Sequence, residues 1–182
     1  MKIPETPRKR ALIVIDMQPA FVKHHNKHIV PNIISLLKKI PYDLYVDTVF
    51  YAEKGSLWDK QQNVTEPKGK NIRTVDELAA ALKPFKPFRV TKDTRSAFGG
   101  DQDLAAHLAK HGIEEVHLVG IETNDCVLAT AFDAFTLGFP VYVLEECCES
   151  GHPGRHQVGV ELLRWQKMTN NSCLVETADV RL

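Results

Sequence analysis

The chain has 182 residues, of which 43% are hydrophobic and 25% charged, values typical of one globular domain with a substantial core. Its 23 basic and 23 acidic residues cancel, so we expect no nucleic-acid partner and no attraction to an anionic membrane. The sequence shows no apolar run of membrane-spanning length and no signal-peptide pattern. We therefore expect a cytoplasmic protein with a single domain over residues 1–182, in which residues 1–9 form a flexible tail.

The first predicted strand is the apolar run at residues 11–15, which ends at Asp16. This pattern is typical of a buried parallel strand that delivers a polar side chain at its carboxyl end. From this residue alone, a cap of the following turn and a catalytic carboxylate are equally good interpretations. Pro31 then predicts a helix that continues to Lys39, and the alternating segment Leu44–Tyr51 predicts the second strand.

Residues 52–73 are polar and include Pro67 and Gly69, which predicts a long loop without a long regular element. Loops of this length are uncommon in compact domains unless they have a function. Trp58 lies in this loop. Its aromatic ring either closes over a substrate or covers the core from outside, and the sequence does not distinguish the two.

Lys92 follows a predicted strand at residues 88–90, which comes after a short predicted helix at residues 77–82. Lysine side chains are most often solvated, so this residue alone carries little functional weight. An amphipathic pattern at residues 101–111 predicts the next helix.

Cys126 lies at the corner between an apolar run at residues 116–121 and a helix that begins near Val127 and ends at Gly138. A further apolar segment at residues 141–144 completes a strand–helix–strand unit, whose two strands are expected to be parallel. A cysteine in the first turn of a helix faces unpaired N–H groups and the positive end of the helix dipole, which favour the thiolate. The alternative interpretation is a small buried hydrophobic residue.

A helix near residues 157–168 and a strand near residues 172–176 complete the pattern, which predicts an α/β protein with a mostly parallel, doubly wound central sheet. In such a sheet the carboxyl ends of the strands gather at one edge, where ligands bind. Asp16, Lys92 and Cys126 would meet there. Their roles are complementary, because an ammonium group can stabilise negative charge on both partners and a carboxylate can accept the thiol proton.

Four short sequence blocks follow one another along the chain: D-x-Q-x-x-F at 16–21, K-x-x-x-S-A-F at 92–98, G-I-x-T-N-x-C-V at 120–127 and D-A-x-x-x-G at 133–138. In order and spacing they resemble the isochorismatase-like cysteine hydrolases, and the resemblance covers nearly the whole chain. It implies a three-layer α/β/α fold and a catalytic triad of Asp16, Lys92 and Cys126. It also implies a non-proline cis peptide at Ile121–Glu122, which would direct the N–H groups of Glu122 and Cys126 at an oxyanion.

The activity that the resemblance implies is hydrolysis of a C–N bond in a small amide-like substrate, through a thioester on Cys126 and without a cofactor. The family also suggests a homo-oligomer. We expect the substrate pocket to be lined by one polar and four aromatic side chains, those of Gln18, Phe21, Tyr51, Trp58 and Phe98.

The chain departs from parts of the family pattern. Residues 49–60 contain no histidine, so the metal motif of the nicotinamidases is missing, and we expect no metal and a substrate other than nicotinamide. Glu122 and Asp125 place two acids beside the nucleophile. They oppose thiolate formation or favour a cationic substrate unless they point away or cap the helix, and the sequence leaves these alternatives open.

Two other functions compete with hydrolysis. One is a catalytically silent family member that binds a small molecule or a partner chain, although such a protein has no need for the three residues together. The other is a redox thiol at Cys126, for which Cys147 at a neighbouring strand end would be the partner.

Overall fold

The computed structural model describes residues 8–64 and 69–170, and its centre is a parallel β-sheet. The strands are β1 (Arg10–Ile15), β2 (Leu44–Phe50), β3 (Phe88–Lys92), β4 (Glu115–Ile121), β5 (Val141–Glu149) and β6 (Thr169–Asn170). They pair in the order β3-β2-β1-β4-β5-β6, and each neighbouring pair is parallel. The predicted parallel, doubly wound sheet is therefore confirmed.

Helices cover both faces of the sheet, because its central strands are apolar on both sides. These helices are α1 (Ile29–Lys39), α2 (Leu57–Gln62), α3 (Asp76–Leu82), α4 (Leu104–Lys110), α5 (Leu128–Thr136) and α6 (Pro153–Trp165). Helices α1 and α3 pack against one face, and α4, α5 and α6 pack against the other, so that the core consists of two separate clusters. This is the expected three-layer α/β/α fold.

The strand order reverses between β1 and β4, which are adjacent although they are far apart in sequence. At such a switch point the chain leaves the two strands in opposite directions, and a crevice opens beyond their carboxyl ends. Asp16 directly follows β1, and the turn that carries Cys126 directly follows β4. The topology itself therefore brings these two residues to one crevice.

Gly120 allows β4 to lie against β1 at this point. Its φ is +122°, and a Cβ atom placed there would lie 2.1 Å from the carbonyl oxygen of Ile15. No side chain fits between these backbones, since atoms at that distance overlap strongly. The close contact holds the ends of the two strands together just before Asp16 and Cys126.

The segment at residues 52–73, predicted to lack a long regular element, contains the six-residue helix α2 and a 3-10 turn at Gly69–Asn71. Helix α2 begins at an N-cap, Ser56, whose side chain accepts a hydrogen bond from the N–H of Asp59. It ends at Asn63 in the left-handed conformation. These capping signals, rather than apolar periodicity, stabilise so short a helix.

Other boundaries also differ from the predictions. Helix α6 starts at Pro153, before the expected residue 157, because His152 caps it and proline is favoured in the first turn. The strand predicted at residues 172–176 lies outside the described residues. The backbone of Lys9 is hydrogen-bonded to Glu114 at both its N–H and its carbonyl, so the tail expected over residues 1–9 does not include Lys9.

Within residues 8–64 and 69–170, no helix has the length and apolar character needed to cross a membrane.

Candidate active site

Lys92 connects the other two predicted catalytic residues, Asp16 and Cys126. Its Nζ lies 2.7 Å from Oδ2 of Asp16, and it donates hydrogen bonds to Sγ of Cys126 at 3.4 Å and to the carbonyl of Thr94 at 2.9 Å. The Lys92 side chain is fully buried. Burial opposes its charge, but the Asp16 carboxylate and the Cys126 sulfur raise the pKa of Lys92 above its ordinary value. The ammonium group is therefore charged, and it contacts three fixed polar partners.

Asp16 is held at the end of β1 by contacts with β2. Its N–H donates to the carbonyl and hydroxyl oxygens of Thr48, and the Thr48 hydroxyl donates to Oδ1 of Asp16 at 2.7 Å. The backbone of Asp16 has a φ of +49°, in the left-handed region that few residues other than glycine, asparagine and aspartate adopt. This bend directs the second carboxylate oxygen, Oδ2, at Lys92.

Cys126 lies in a single π-helical turn, Thr123–Val127, that precedes α5. Its side chain is buried, with 9% of the residue exposed. Burial and the nearby Asp16 carboxylate raise the pKa of the Cys126 thiol far above its ordinary range, and Lys92 offsets only part of this effect. The resting side chain is therefore a thiol, whereas the helix position alone had predicted a thiolate.

Two polar residues outside the predicted site fix this turn. The hydroxyl of Thr130 donates to the carbonyl of Cys126 at 2.7 Å and accepts a hydrogen bond from the N–H of Ala97 at 3.0 Å. The hydroxyl of Ser150 donates to the side-chain oxygen of Asn124 at 2.9 Å. Both residues are fully buried. Thr130 thus connects the segment that follows Lys92 to the cysteine turn.

The peptide bond between Ile121 and Glu122 is cis. The Glu122 carboxylate accepts a hydrogen bond of 2.5 Å from the N–H of Gly151, in the loop between β5 and α6. Burial raises the pKa of Glu122 above its ordinary value. Of the alternatives for this acid, the structure favours the one in which its carboxylate is directed at a neighbouring loop.

Asp125, the second acid beside the nucleophile, is paired with Arg95. Nε of Arg95 lies 2.5 Å from Oδ1 of Asp125, and the guanidinium carbon lies 4.6 Å from the centre of the Trp58 ring. The indole N–H of Trp58 donates to the carbonyl of Asp93. The loop tryptophan is therefore attached to the segment that follows Lys92.

Gln18 has a different role from the one expected. Its amide nitrogen donates to the carbonyls of Phe50 and Asn71, and its amide oxygen accepts from the N–H of Phe50 at 2.6 Å. The side chain is completely buried, and both its N–H bonds are used. Gln18 therefore connects three backbone segments around the site, and its contact with a substrate stays a prediction.

The predicted aromatic residues separate into two groups. Phe21 and Trp58 both contact the ring of Phe50, at centroid distances of 6.0 and 4.9 Å, and Nζ of Lys92 lies 5.4 Å from the centre of that ring. Phe50 was not predicted as a site residue, yet its ring packs against the ammonium group of Lys92. The half-buried Tyr51 is the next residue, and its N–H donates to the carbonyl of Lys92.

Phe98 contacts a different set of residues. Its ring stacks with Phe139 at 6.5 Å and packs against the core cluster under α4, α5 and α6. No contact joins it to the group around Phe50 in the described part of the chain. This cluster includes Cys126, and the place of Phe98 in the substrate pocket stays a prediction.

The residues present do not fit the metal site of a nicotinamidase. In residues 8–64 and 69–170, no group of three histidine, cysteine, aspartate or glutamate side chains is placed to bind a metal ion. Structural and catalytic sites for transition metals need at least three such ligands.

Gly159 of α6 sets the position of the cysteine turn. A Cβ atom at residue 159 would lie 2.9 Å from the backbone N and Cα of Asn124. We expect Gly159→Ala to displace this turn and lower the turnover proposed below about 10- to 100-fold, with a loss of stability of roughly 1–3 kcal/mol. Steady-state kinetics and urea unfolding measure the two effects.

Gly154→Ala on the same helix is the matched control, because its added methyl group meets only the ring of His152, at 3.3 Å or more. Unchanged kinetics in Gly159→Ala would show that α6 does not position Cys126.

Comparisons with known proteins agree with this architecture. The isochorismatase domain model matches residues 10–176. The uncharacterized isochorismatase family protein PncA of Bacillus subtilis is 29% identical over 168 residues, which are 81% of this chain and 90% of that protein. The maleamate amidohydrolase of Pseudomonas putida is 29% identical over 110 residues, 58% of this chain and 49% of that protein. The crystal structure of the pyrazinamidase/nicotinamidase of Streptococcus mutans superimposes with a TM-score of 0.73 at 25% identity, over 87% of this chain and 97% of that one.

Proposed function

This chain belongs to the isochorismatase family, and from that premise we propose that it is a cysteine hydrolase that cleaves the C–N bond of a small amide-like substrate. The observation that carries the proposal is the buried ammonium group of Lys92, in contact with both the Asp16 carboxylate and the Cys126 sulfur. A charged lysine is seldom buried unless it is paired, and pairing it with a thiol serves no evident purpose in packing. The arrangement matches a nucleophile, its base and a group that stabilises negative charge.

In the first step, the sulfur of Cys126 attacks the carbonyl carbon and forms an S–C bond, while Asp16 takes the thiol proton. The tetrahedral adduct then collapses with cleavage of the C–N bond, and Asp16 passes the proton to the leaving nitrogen, which departs as ammonia or an amine. Water attacks the resulting thioester, with Asp16 again as the base. The products are a carboxylic acid and the regenerated thiol, so atoms and protons balance without a redox cofactor.

The raised pKa of Cys126 gives Asp16 a specific part in this scheme. Because the resting sulfur is protonated, the thiol must lose its proton as the substrate reacts. Asp16 is the acceptor of this proton, because its carboxylate contacts the same ammonium group as the sulfur. Lys92 then neutralises the charge that remains on the sulfur, at 3.4 Å in the resting structure.

The oxyanion of the tetrahedral adduct needs its own donors. We assign this role to the backbone N–H groups of Glu122 and Cys126, in agreement with the family resemblance. Ile121 contributes through the cis peptide bond that it forms with Glu122. The turn that carries these groups is fixed by Thr130, which supports a preorganised site.

The substrate class follows from the relatives and from the site. The names of the similar proteins from Pseudomonas putida and Streptococcus mutans specify amidases of small molecules, maleamate in one case and nicotinamide or pyrazinamide in the other. The aromatic group of Phe21, Phe50 and Trp58 beside Lys92 suits a small planar carboxamide. Residues 49–60 contain no histidine, so the metal motif of the nicotinamidases is missing there, which argues against nicotinamide itself.

The test is ammonia release from a panel of small amides, ureido acids and imines, with wild type, Cys126→Ala and Cys148→Ala compared. Cys148 is the matched control, since it is buried in the same core cluster as Cys126. We expect at least one compound to be hydrolysed by wild type and Cys148→Ala, and the rate to fall at least ~1,000-fold in Cys126→Ala. Hydrolysis that survives in Cys126→Ala would contradict the cysteine mechanism.

A catalytically silent protein that binds a small molecule is the alternative function. Binding of panel compounds in a calorimeter, without ammonia release or formation of a thioester detectable by mass spectrometry, would favour it. The redox function has less support, because Cys147 packs in the core cluster on the α1 side of the sheet and Cys126 in the cluster on the other side. Cys126, Cys147 and Cys148 form no disulfide in the described structure.

A cytoplasmic location and a homo-oligomeric state stay predictions. Sedimentation or light scattering of the purified chain measures the second.

A further inference from the structure

We propose that Arg95 binds a carboxylate group on the substrate, so that the amide cleaved at Cys126 belongs to a small anionic molecule such as an amic acid or a ureido acid. The proposal rests on the cysteine hydrolase function above and names the substrate class for the same site. It starts from the only contacts that the described residues make with the Arg95 guanidinium group, those with Asp125 and Trp58.

The guanidinium group of Arg95 is held in place by two contacts, but some of its hydrogen-bond donors have no partner in the described structure. Asp125 contacts Nε at 2.5 Å, and the ring of Trp58 supports the plane of the group at 4.6 Å. In the described structure, neither Nη atom has an ion-pair or hydrogen-bond partner, and the side chain is 49% exposed. An arginine whose Nε edge is occupied still presents its two Nη atoms as a fork, which matches the two oxygens of a carboxylate.

Arg95 is connected to the nucleophile through Asp125. Asp125 directly precedes Cys126 in the π-helical turn. Arg95 contacts the Asp125 carboxylate from the segment that also carries Lys92. The proposal places the substrate carboxylate against this guanidinium group while the amide carbon is at Cys126.

Each of the three acids near Cys126 has a partner in the structure. Asp16 is neutralised by Lys92, Asp125 is neutralised by Arg95, and the Glu122 carboxylate is directed at Gly151. These pairings remove the reason for a cationic substrate that the two acids beside Cys126 had suggested. The remaining hydrogen-bonding capacity is that of the two Nη atoms of Arg95, which can donate to the oxygens of a carboxylate.

The experiment compares iodoacetate, which carries a carboxylate, with its neutral analogue iodoacetamide as reagents for Cys126. In both reactions the sulfur displaces iodide from the same methylene carbon, and peptide mass spectrometry follows the Cys126 peptide at alkaline pH. Wild type is compared with Arg95→Gln and with Arg164→Gln. Arg164 is the matched control, because it forms a similar ion pair with Glu145 at 2.5 Å and is 50% exposed, but lies at the end of α6.

We expect Arg95→Gln to slow alkylation by iodoacetate about 10-fold or more, as the loss of a charge-assisted hydrogen bond predicts, and to leave the iodoacetamide rate within about 2-fold. Arg164→Gln should change neither rate. Arg95→Lys, which keeps the charge but not the fork, should show an intermediate iodoacetate rate.

The other outcomes contradict one proposal or the other. Equal effects of Arg95→Gln on both reagents would mean that Arg95 only holds Trp58 and Asp125 in place, and an effect of the same size in Arg164→Gln would mean that net charge alone is responsible. Either result overturns the role of Arg95 and leaves the hydrolase function intact. No modification of Cys126 by either reagent would instead contradict the nucleophile itself, and the role of Arg95 would fall with it.

Turnover supplies a second, independent measurement. With succinamate and its neutral methyl ester as paired amides, Arg95→Gln should lower kcat/KM for succinamate roughly 10- to 100-fold, mainly through KM, and leave the value for the ester within about 2-fold. A lower kcat with unchanged KM for both compounds would contradict a binding role.

Discussion

Replacing Asp16 with asparagine is expected to abolish turnover and, at the same time, to make Cys126 more reactive toward iodoacetamide. The substitution removes the proposed general base, so that kcat should fall about 10²–10⁴-fold. Alkylation requires only the thiolate. The Asp16 carboxylate is one of the causes that raise the thiol pKa, while Lys92 lowers it. With the carboxylate removed and Lys92 retained, the thiol pKa falls, and the alkylation rate near neutral pH should rise on the order of 10-fold for each unit.

Asparagine suits this test because it adopts the left-handed backbone conformation of residue 16 and can still bind the Thr48 hydroxyl. Asp47→Asn is the matched control: Asp47 is also a buried carboxylate at the same sheet, bound there to Thr74 and Arg89. It should leave both rates within a few-fold of wild type. Turnover and alkylation that fall together in Asp16→Asn would show instead that the carboxylate favours the thiolate in the resting protein.

The proximity of Asp16, Lys92 and Cys126 could be predicted, because it depends on features that a sequence contains. Apolar runs mark the ends of buried strands, and the carboxyl ends of parallel strands lie at one edge of a sheet. What the sequence does not contain is the order of the strands. Lys92 is on β3, which is separated from β1 by β2, so the long lysine side chain must cross over Phe50 to reach Asp16.

The neighbours of the triad depend on side-chain direction, which no local pattern specifies. Gln18 and Phe98 belong to the recognised blocks, yet one binds backbone around the site and the other covers the core. Arg95 is an ordinary charged residue in a loop until its contact with Asp125 is known. Thr130 carries one signal that was overlooked, a polar residue on the buried face of a predicted apolar helix, four residues after Cys126.

The protonation state of Cys126 could not be predicted from helix position, because two effects of opposite sign compete there. A helix N-terminus favours the thiolate, but a buried sulfur next to a carboxylate favours the thiol. The structure decides between them through burial and through the nearby Asp16 carboxylate, neither of which is visible in the order of residues.

Replacing Lys92 with methionine should abolish turnover and also destabilise the fold, by about 3–5 kcal/mol at neutral pH, because it leaves the Asp16 carboxylate buried without its cation. The double variant Asp16→Asn/Lys92→Met removes both charges. It should therefore recover most of the loss and unfold within about 1–2 kcal/mol of wild type, although it remains inactive. Urea unfolding of the four proteins gives the coupling free energy of the pair.

Lys39→Met, at an exposed position in the last turn of α1, is the control and should stay within about 0.5 kcal/mol of wild type. A double variant no more stable than Lys92→Met would show that the lysine stabilises the fold through packing of its carbon chain rather than through its charge. In that case the contact with Cys126, and not the pair with Asp16, would explain why this ammonium group is buried.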